Sequence, residues 1–125
     1  MAASYVLVVD DDPAIRGLVS DALRSEGYTV DLAAHGREAL EAMRARRPAT
    51  VVLDLMMPVM DGWEFLAQCR RRLPCASVPV AIMTAAQDAA LAASKLGVQG
   101  YLTKPFELEA VLAVVDRLAT GEGVN

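Results

Sequence analysis

The sequence is short of almost everything that marks a secreted, membrane-spanning or nucleic-acid-binding protein. Its 125 residues hold only two cysteines, Cys69 and Cys75, and one histidine, His35. The cysteines lack CxxC spacing and have no ligand cluster beside them, which excludes a tetrahedral zinc site and a disulfide-rich scaffold; both read as free thiols. No apolar run reaches the ~18 to 20 residues that span a bilayer. The N-terminus lacks the basic region and cleavage site of a secretory signal, so no membrane association and a cytoplasmic location are expected. Positive charge is also lacking: 12 Lys and Arg stand against 16 Asp and Glu, a net charge of −4 and a pI near 4.9. Affinity for nucleic-acid phosphates rests on concentrated cations, so this chain is not expected to bind DNA directly. Arg70, Arg71 and Arg72 read as the solvated, dipole-compatible end of a helix.

What remains is an ordinary globular composition, 54% hydrophobic and 22% charged. The length suits one domain over residues 1–125, with a core from about 5 to 119 and a short tail at 120–125. The tail, Gly121 to Asn125, leaves no room for an output domain and suits either a stand-alone protein or an excised domain.

Tyr5 to Val9 is a short apolar run halted by Asp10, Asp11 and Asp12, the pattern of a buried parallel strand. From Pro13 the period becomes helical, with Ile15, Leu18, Val19 and Ala22 on one face and Gly27 as the stop. Tyr28 to Leu32 is the second strand. The second helix follows Gly36, turns Ala39, Leu40 and Met43 inward, and ends before Pro48. Thr50 to Leu53 is a strand ending at Asp54, and a loop through Met57, Pro58, Met60, Asp61 and Gly62 opens a helix from Trp63 to Leu73. Pro79 to Met83 is a strand closing on Thr84, 89–96 an alanine-rich helix, Gly100 to Thr103 a strand and Glu107 to Ala119 a helix. Strict alternation of short apolar strands and helices implies a parallel sheet covered on both faces, joined by right-handed crossovers.

In open parallel sheets of this kind the ligand site lies at the carboxyl ends of the strands. Asp10 and Asp11, Asp54, Thr84 and Lys104 each follow a different strand to that edge. Carboxylates brought within ~4 Å repel by about 4 kcal/mol per pair at an effective dielectric near 20. A cation offsets that cost, and an all-oxygen set with room for water and a phosphoryl oxygen favours Mg²⁺. Asp54 can then act as a nucleophile on phosphorus to give an acyl phosphate, while the Thr84 hydroxyl and the Lys104 ammonium each contact a phosphoryl oxygen. An Asp at a strand end is also a common helix N-cap, the reading that suits Asp12 and stays open for Asp10 or Asp11 taken singly. Met56, Met57 and Met60 read as packing residues, although a carbonyl near Met56 is within reach of a metal. Trp63 reads as packing at the start of its helix, and His35 as a surface loop residue without a role.

In combination these segments resemble the receiver family of two-component response regulators. VLVVDDD at 6–12 is similar to the family's first strand with its acidic pair, Asp10 and Asp11. VVLDLMMPVMDG at 51–62 resembles the phospho-acceptor segment, with Asp54 as acceptor; IMTAA at 82–86 supplies a switch threonine, Thr84, and YLTKPF at 101–106 supplies Lys104 and an aromatic switch residue, Tyr101. The resemblance covers about Tyr5 to Ala119. It implies a flavodoxin-like (βα)5 three-layer sandwich with strand order 2-1-3-4-5. It also implies Mg²⁺ held by Asp10, Asp11, Asp54 and the Met56 carbonyl, and a cis bond between Lys104 and Pro105. The implied function is a regulatory phospho-acceptor rather than an enzyme, one that assists its own phosphorylation and dephosphorylation. Phosphorylation draws Thr84 toward the phosphoryl group, turns Tyr101 inward and changes the surface formed by the fourth helix, fifth strand and fifth helix. A sensor histidine kinase or phosphotransfer protein is the implied donor, with a downstream target of unknown identity and a phosphorylation-dependent homodimer among the implied partners.

Two departures from the family pattern stand out. The interval from Thr84 to Tyr101 is short by about two residues and rich in alanine, which predicts a short or shifted fourth helix. Met56 and Ala86 also stand where many relatives carry polar side chains that contact the hydrolytic water, which predicts slow self-dephosphorylation. Two rival readings fit the residues less well. A haloacid-dehalogenase-type phosphatase needs its nucleophile in a DxDx[TV] pattern on the first strand, which Asp10-Asp11-Asp12-Pro13-Ala14 does not match; a receiver-like module that is never phosphorylated leaves a complete set of site residues without a purpose.

Overall fold

The computed structural model describes residues 4–72, 77–85 and 89–120. Strands and helices alternate throughout: β1 (Val6–Val9), α1 (Pro13–Ser25), β2 (Val30–Ala33), α2 (Gly36–Ala45), β3 (Thr50–Asp54), α3 (Gly62–Arg72), β4 (Val80–Thr84), α4 (Ala89–Leu96), β5 (Gly100–Thr103) and α5 (Leu108–Ala119). The strands form one parallel sheet of order β2-β1-β3-β4-β5. This is the flavodoxin-like sandwich with the expected strand order.

Because side chains alternate across a strand, each strand feeds two cores. Leu7, Val9, Val51, Leu53 and Ile82 pack on one face with Ala39, Leu40 and Met43 of α2, Phe65, Leu66 and Cys69 of α3, and Ala93 and Leu96 of α4. Val6, Val8, Val52, Met83 and Leu102 pack on the other with Val19 and Leu23 of α1 and Val111 and Val115 of α5. Continuous apolar runs are what a sheet buried on both faces demands.

The helix ends follow local chemistry. Asp12 caps α1 by accepting from the Ala14 N–H, with Pro13 in the first turn, and Gly27 takes φ +95° where the chain leaves. His35, expected to be an idle loop residue, is instead the N-cap of α2: its Nδ1 accepts from the Glu38 N–H at 3.4 Å while Glu38 Oε1 accepts from the Ala34 N–H at 2.7 Å. The Glu38 bond goes to the residue before the cap, and the cap position itself is one that Ser, Thr, Asp or Asn usually takes, which is why the histidine carried no signal.

Other expectations need correction. β2 starts at Val30 rather than Tyr28, because Tyr28 is used in the turn, where its N–H bonds the Leu23 carbonyl. Leu18 is 58% exposed, and the buried stripe of α1 is Val19, Ser20 and Leu23; of the expected face Val19 is buried and Ile15 packs against the core, while Leu18 points away. Trp63 is only partly covered, at 42% exposed, and of the three methionines only Met57 and Met60 pack, Met56 being 73% exposed. Cys69 is not a free thiol: it is disulfide-bonded, and its buried sulfur lies 3.8 Å from that of Met43. The sequence's other cysteine, Cys75, lies outside the described residues, as do Leu73, Ala86 and the tail 121–125. The fourth helix is short, eight residues from Ala89 to Leu96.

Two close approaches lock the loops at the carboxyl edge. A Cβ on Gly36 would lie 2.9 Å from the Met60 carbonyl oxygen, and one on Gly62 would lie 2.7 Å from the Asp54 carbonyl oxygen and 2.9 Å from Leu55 Cα. Both contacts are with backbone, which cannot swing aside, and the one at Gly62 is the tighter. Gly62→Ala is therefore expected to lower the unfolding free energy by about 2 kcal/mol, as overpacking of a tight site does; an unchanged midpoint in urea denaturation would refute the constraint.

Candidate functional site

β1, β3, β4 and β5 end on the same edge, and each ends in a polar residue. Asp10 follows β1 and is fully buried. Its N–H is held by the Ala33 carbonyl, its Oδ1 accepts from the Asp12 N–H at 2.9 Å and its Oδ2 accepts from Lys104 Nζ at 2.9 Å. Asp54 closes β3, is 3% exposed, and accepts from the Met56 N–H at 3.2 Å. Its other oxygen stands 3.5 Å from Lys104 Nζ. Asp11 is exposed at the mouth, and ligand oxygens of Asp10, Asp11 and Asp54 all lie within 4.8 Å of one another.

Lys104 is supplied by the chain just after β5, where its N–H bonds the Thr84 carbonyl at 2.8 Å, and the Lys104–Pro105 peptide bond is cis. Thr84 is buried at the end of β4, paired in register with Thr103. Tyr101, opposite Ile82, turns outward and is 47% exposed. The sheet edge thus gathers Asp10, Asp11, Asp54 and Lys104 into direct contact range. A cleft of about 260 Å³ opens over them, lined also by Asp12, Ile15, Met56 and Ala85.

Burial pushes the Asp54 carboxyl up to about 6; the Met56 N–H bond opposes this, the Asp10 charge adds to it, and Lys104 pulls it back. For Lys104 burial acts downward, but the hydrogen bond and charge of Asp10 and the charge of Asp54 outweigh it, so its ammonium is held more firmly than usual. One ammonium faces three carboxylates, which leaves the cleft with an excess of negative charge. All-oxygen donors at the floor of a solvent-open cleft suit a hard divalent cation.

The sequence pointed to every residue of this cluster but not to Arg16. From the second turn of α1, Arg16 Nη1 donates to the Asp10 carbonyl at 2.7 Å. The only available signal was its position four residues beyond the Asp12 cap, one helical turn from the acidic run. Ile15 and Ala85, which wall the cleft, carried no signal either.

Compared with known proteins, residues 6–116 match the family described as response regulator receiver domain. The chain is 40% identical over 122 residues to the probable transcriptional regulatory protein TcrX of Mycobacterium tuberculosis, covering 96% of this chain and 51% of that protein. The curated relatives it matches are longer, and the chain spans from 25% to 51% of their length. Among solved structures it is similar to chemotaxis protein CheY4 of Vibrio cholerae, with a TM-score of 0.83 and 35% identity over 94% of this chain and 99% of that one. It is similar too to the receiver domain of sensor histidine kinase PA1611 of Pseudomonas aeruginosa, with a TM-score of 0.84 and 28% identity over 95% and 99% of the two chains. That receiver has a magnesium ion coordinated in its active-site cleft. No helix among the described residues is long and apolar enough to cross a membrane.

The raised Asp54 value has a consequence for stability. A carboxyl that titrates near 6 when folded and near 3.8 when unfolded binds more protons in the folded chain between those values. Its favourable contribution is present below the unfolded value and is lost as pH rises through the folded one. Without divalent metal, Asp54→Asn is therefore expected to be more stable than wild type by about 1–3 kcal/mol near pH 7.5, a gain that shrinks toward about pH 5. Thermal melts in chelator at the two pH values read this directly; a variant less stable than wild type at both would contradict it.

Proposed function

Because this chain belongs to the response-regulator receiver family, we propose that it is a phospho-accepting switch in which Asp54 takes a phosphoryl group with Mg²⁺ bound beside it. Receiver domains are regulatory phospho-acceptors of two-component systems. The observation that carries the reading is the cluster itself: the Asp10, Asp11 and Asp54 carboxylates lie within 4.8 Å of one another, with Lys104 Nζ between Asp10 and Asp54.

Asp10, Asp11, Asp54 and the Met56 carbonyl would hold the Mg²⁺, whose charge, when bound, neutralises oxygens of the incoming phosphoryl group. Asp54 is the nucleophile. Above about pH 6 its carboxylate is ionised, and one oxygen forms the new O–P bond as the donor's bond to phosphorus breaks and the donor leaves with that electron pair. The Met56 N–H fixes the carboxylate's orientation, so the attacking lone pair is presented without a search over rotamers. Lys104, already between Asp10 and Asp54, offers its ammonium to one phosphoryl oxygen, and the Thr84 hydroxyl offers a hydrogen bond to another. Burial strengthens both interactions.

In this reading Thr84, drawn toward the phosphoryl group, vacates space on β4, and the outward-facing Tyr101 on β5 turns in to fill it. The surface of α4, β5 and α5 is the one whose shape then reports the modification. The donor is a sensor histidine kinase or a phosphotransfer protein. The downstream target is a protein, or a second copy in a phosphorylation-dependent homodimer, and the compartment is the cytoplasm. Residues 1–125 serve as one receiver domain whose longer relatives carry further segments.

Intact mass after incubation with a small-molecule phosphoryl donor tests the proposal. A single adduct that needs Mg²⁺ and is absent from Asp54→Asn is expected; a folded, Mg²⁺-binding protein that stays unmodified with the small donor and with a panel of kinases would overturn it. The apolar Met56 side chain stands open to solvent beside Asp54 and offers water no hydrogen bond. The adduct is accordingly expected to persist for minutes or longer, and a lifetime of seconds would show that another group orients the hydrolytic water.

A further inference from the structure

Asp11 is the weakly held member of the cluster. Asp10 is fixed through its N–H and both carboxylate oxygens, and Asp54 is fixed by the Met56 N–H and Lys104. The Asp11 side chain is exposed, and no hydrogen bond or ion pair to its carboxylate is found among the described residues. Its place within 4.8 Å of the other two ligand oxygens therefore depends on the backbone that delivers it.

That backbone is the peptide joining Asp10 to Asp11. The parallel ladder with β2 ends at Val9 and Ala33, and the Asp10 N–H still reaches the Ala33 carbonyl. The Asp10 carbonyl, one atom pair further on, lies past the end of β2 and is taken by Arg16 Nη1 at 2.7 Å. A peptide is planar, so holding its carbonyl oxygen holds the plane and with it the direction in which Asp11 departs. The donor is itself well anchored: Arg16 is half-buried, and its own N–H closes the first helical bond, to the Asp12 carbonyl at 3.0 Å.

We infer that Arg16 is a positioning residue for the cation site, fixing the Asp10–Asp11 peptide so that the Asp11 carboxylate stands ready as a ligand. The inference rests on the receiver reading, since it concerns the Mg²⁺ that reading implies. Charge and position make opposite demands here. Removing a nearby positive charge by itself makes the cleft more attractive to a divalent cation, whereas losing the fixed peptide makes it less so. The sign of the change in affinity separates the two.

The experiment is calorimetric titration of the purified chain with MgCl2, for wild type, Arg16→Ala and Arg16→Lys, alongside amide hydrogen exchange at Asp11 and Asp12 without metal. Arg16→Ala is expected to bind Mg²⁺ about tenfold more weakly, the effect typical of losing a group that orients a metal ligand, and to exchange faster at both amides. Arg16→Lys, which keeps the charge but not the guanidinium fork, is expected to fall between the two. Affinity in Arg16→Ala equal to or above wild type overturns the inference. If Arg16→Ala does not fold, Arg16→Lys decides: weaker binding supports the role and unchanged binding overturns it. A wild-type chain that itself binds no Mg²⁺ removes the receiver reading and this inference together, and is told apart from the other failure because the wild type shows it.

Discussion

Everything at the carboxyl edge depends on how one ammonium is shared among carboxylates that the sheet forces together. Parallel strands that start in register also end in register, so Asp10 and Asp54 arrive side by side, and neither can retreat because each is continuous with a buried strand. Their ligand oxygens lie within 4.8 Å of each other, and two unit charges about 4 Å apart repel by about 4 kcal/mol at an effective dielectric near 20. Lys104, 2.9 Å from one and 3.5 Å from the other, offsets part of this. Burial is the main cause of the reluctance of Asp54 to ionise, and the charge of Asp10 adds to it. The same imbalance of charge gives a divalent cation a reason to bind.

The two faces of the sheet contribute differently. α1 and α5 cover one side, and from it Asp12 and Arg16 reach up to organise the turn after β1. α2, α3 and α4 cover the other. From that side the N-terminus of α2 grips the loop after β3, through the Gly36 N–H bonded to the Met60 carbonyl at 3.0 Å. The loop after β3 is thereby pinned at both ends, by Met60 against Gly36 and by Gly62 against Asp54. The Asp54 carboxylate thus stands beside a loop that two helices restrain at once.

Element sequence and the acidic cluster were legible because they follow from signals that do not depend on tertiary detail, while the strand order came from the resemblance of the motifs to a known family. Apolar runs ending in Asp mark buried strands that reach a polar edge, and helical periodicity between them leaves few topologies. What was not legible was decided by contacts between elements. Leu18 looks as apolar as Val19, and only the crossing of α1 over the sheet determines which of them is buried. His35 caps α2 although its type ranks low for that position. Arg16 reads as one of many surface cations until β2 is seen to stop short of the Asp10 carbonyl. Cys69, alone in a buried helix face, gave no hint that its sulfur would be oxidised.

Val59 shows the loop after β3 from another side. It takes φ +69°, with the Met60 N–H bonded to the Pro58 carbonyl at 2.7 Å, the three-residue turn that side-chain-bearing residues enter least readily. For a β-branched residue this region is a marked outlier, and the left-handed conformation costs about 1–2 kcal/mol. Its side chain is exposed, so no packing requires it there. Valine and glycine codons differ by a single base, which places a relaxed form of this loop one mutation away. A lineage carrying this gene has an accessible route that trades this strain for a more flexible loop beside Asp54 and leaves every charged group of the cleft untouched.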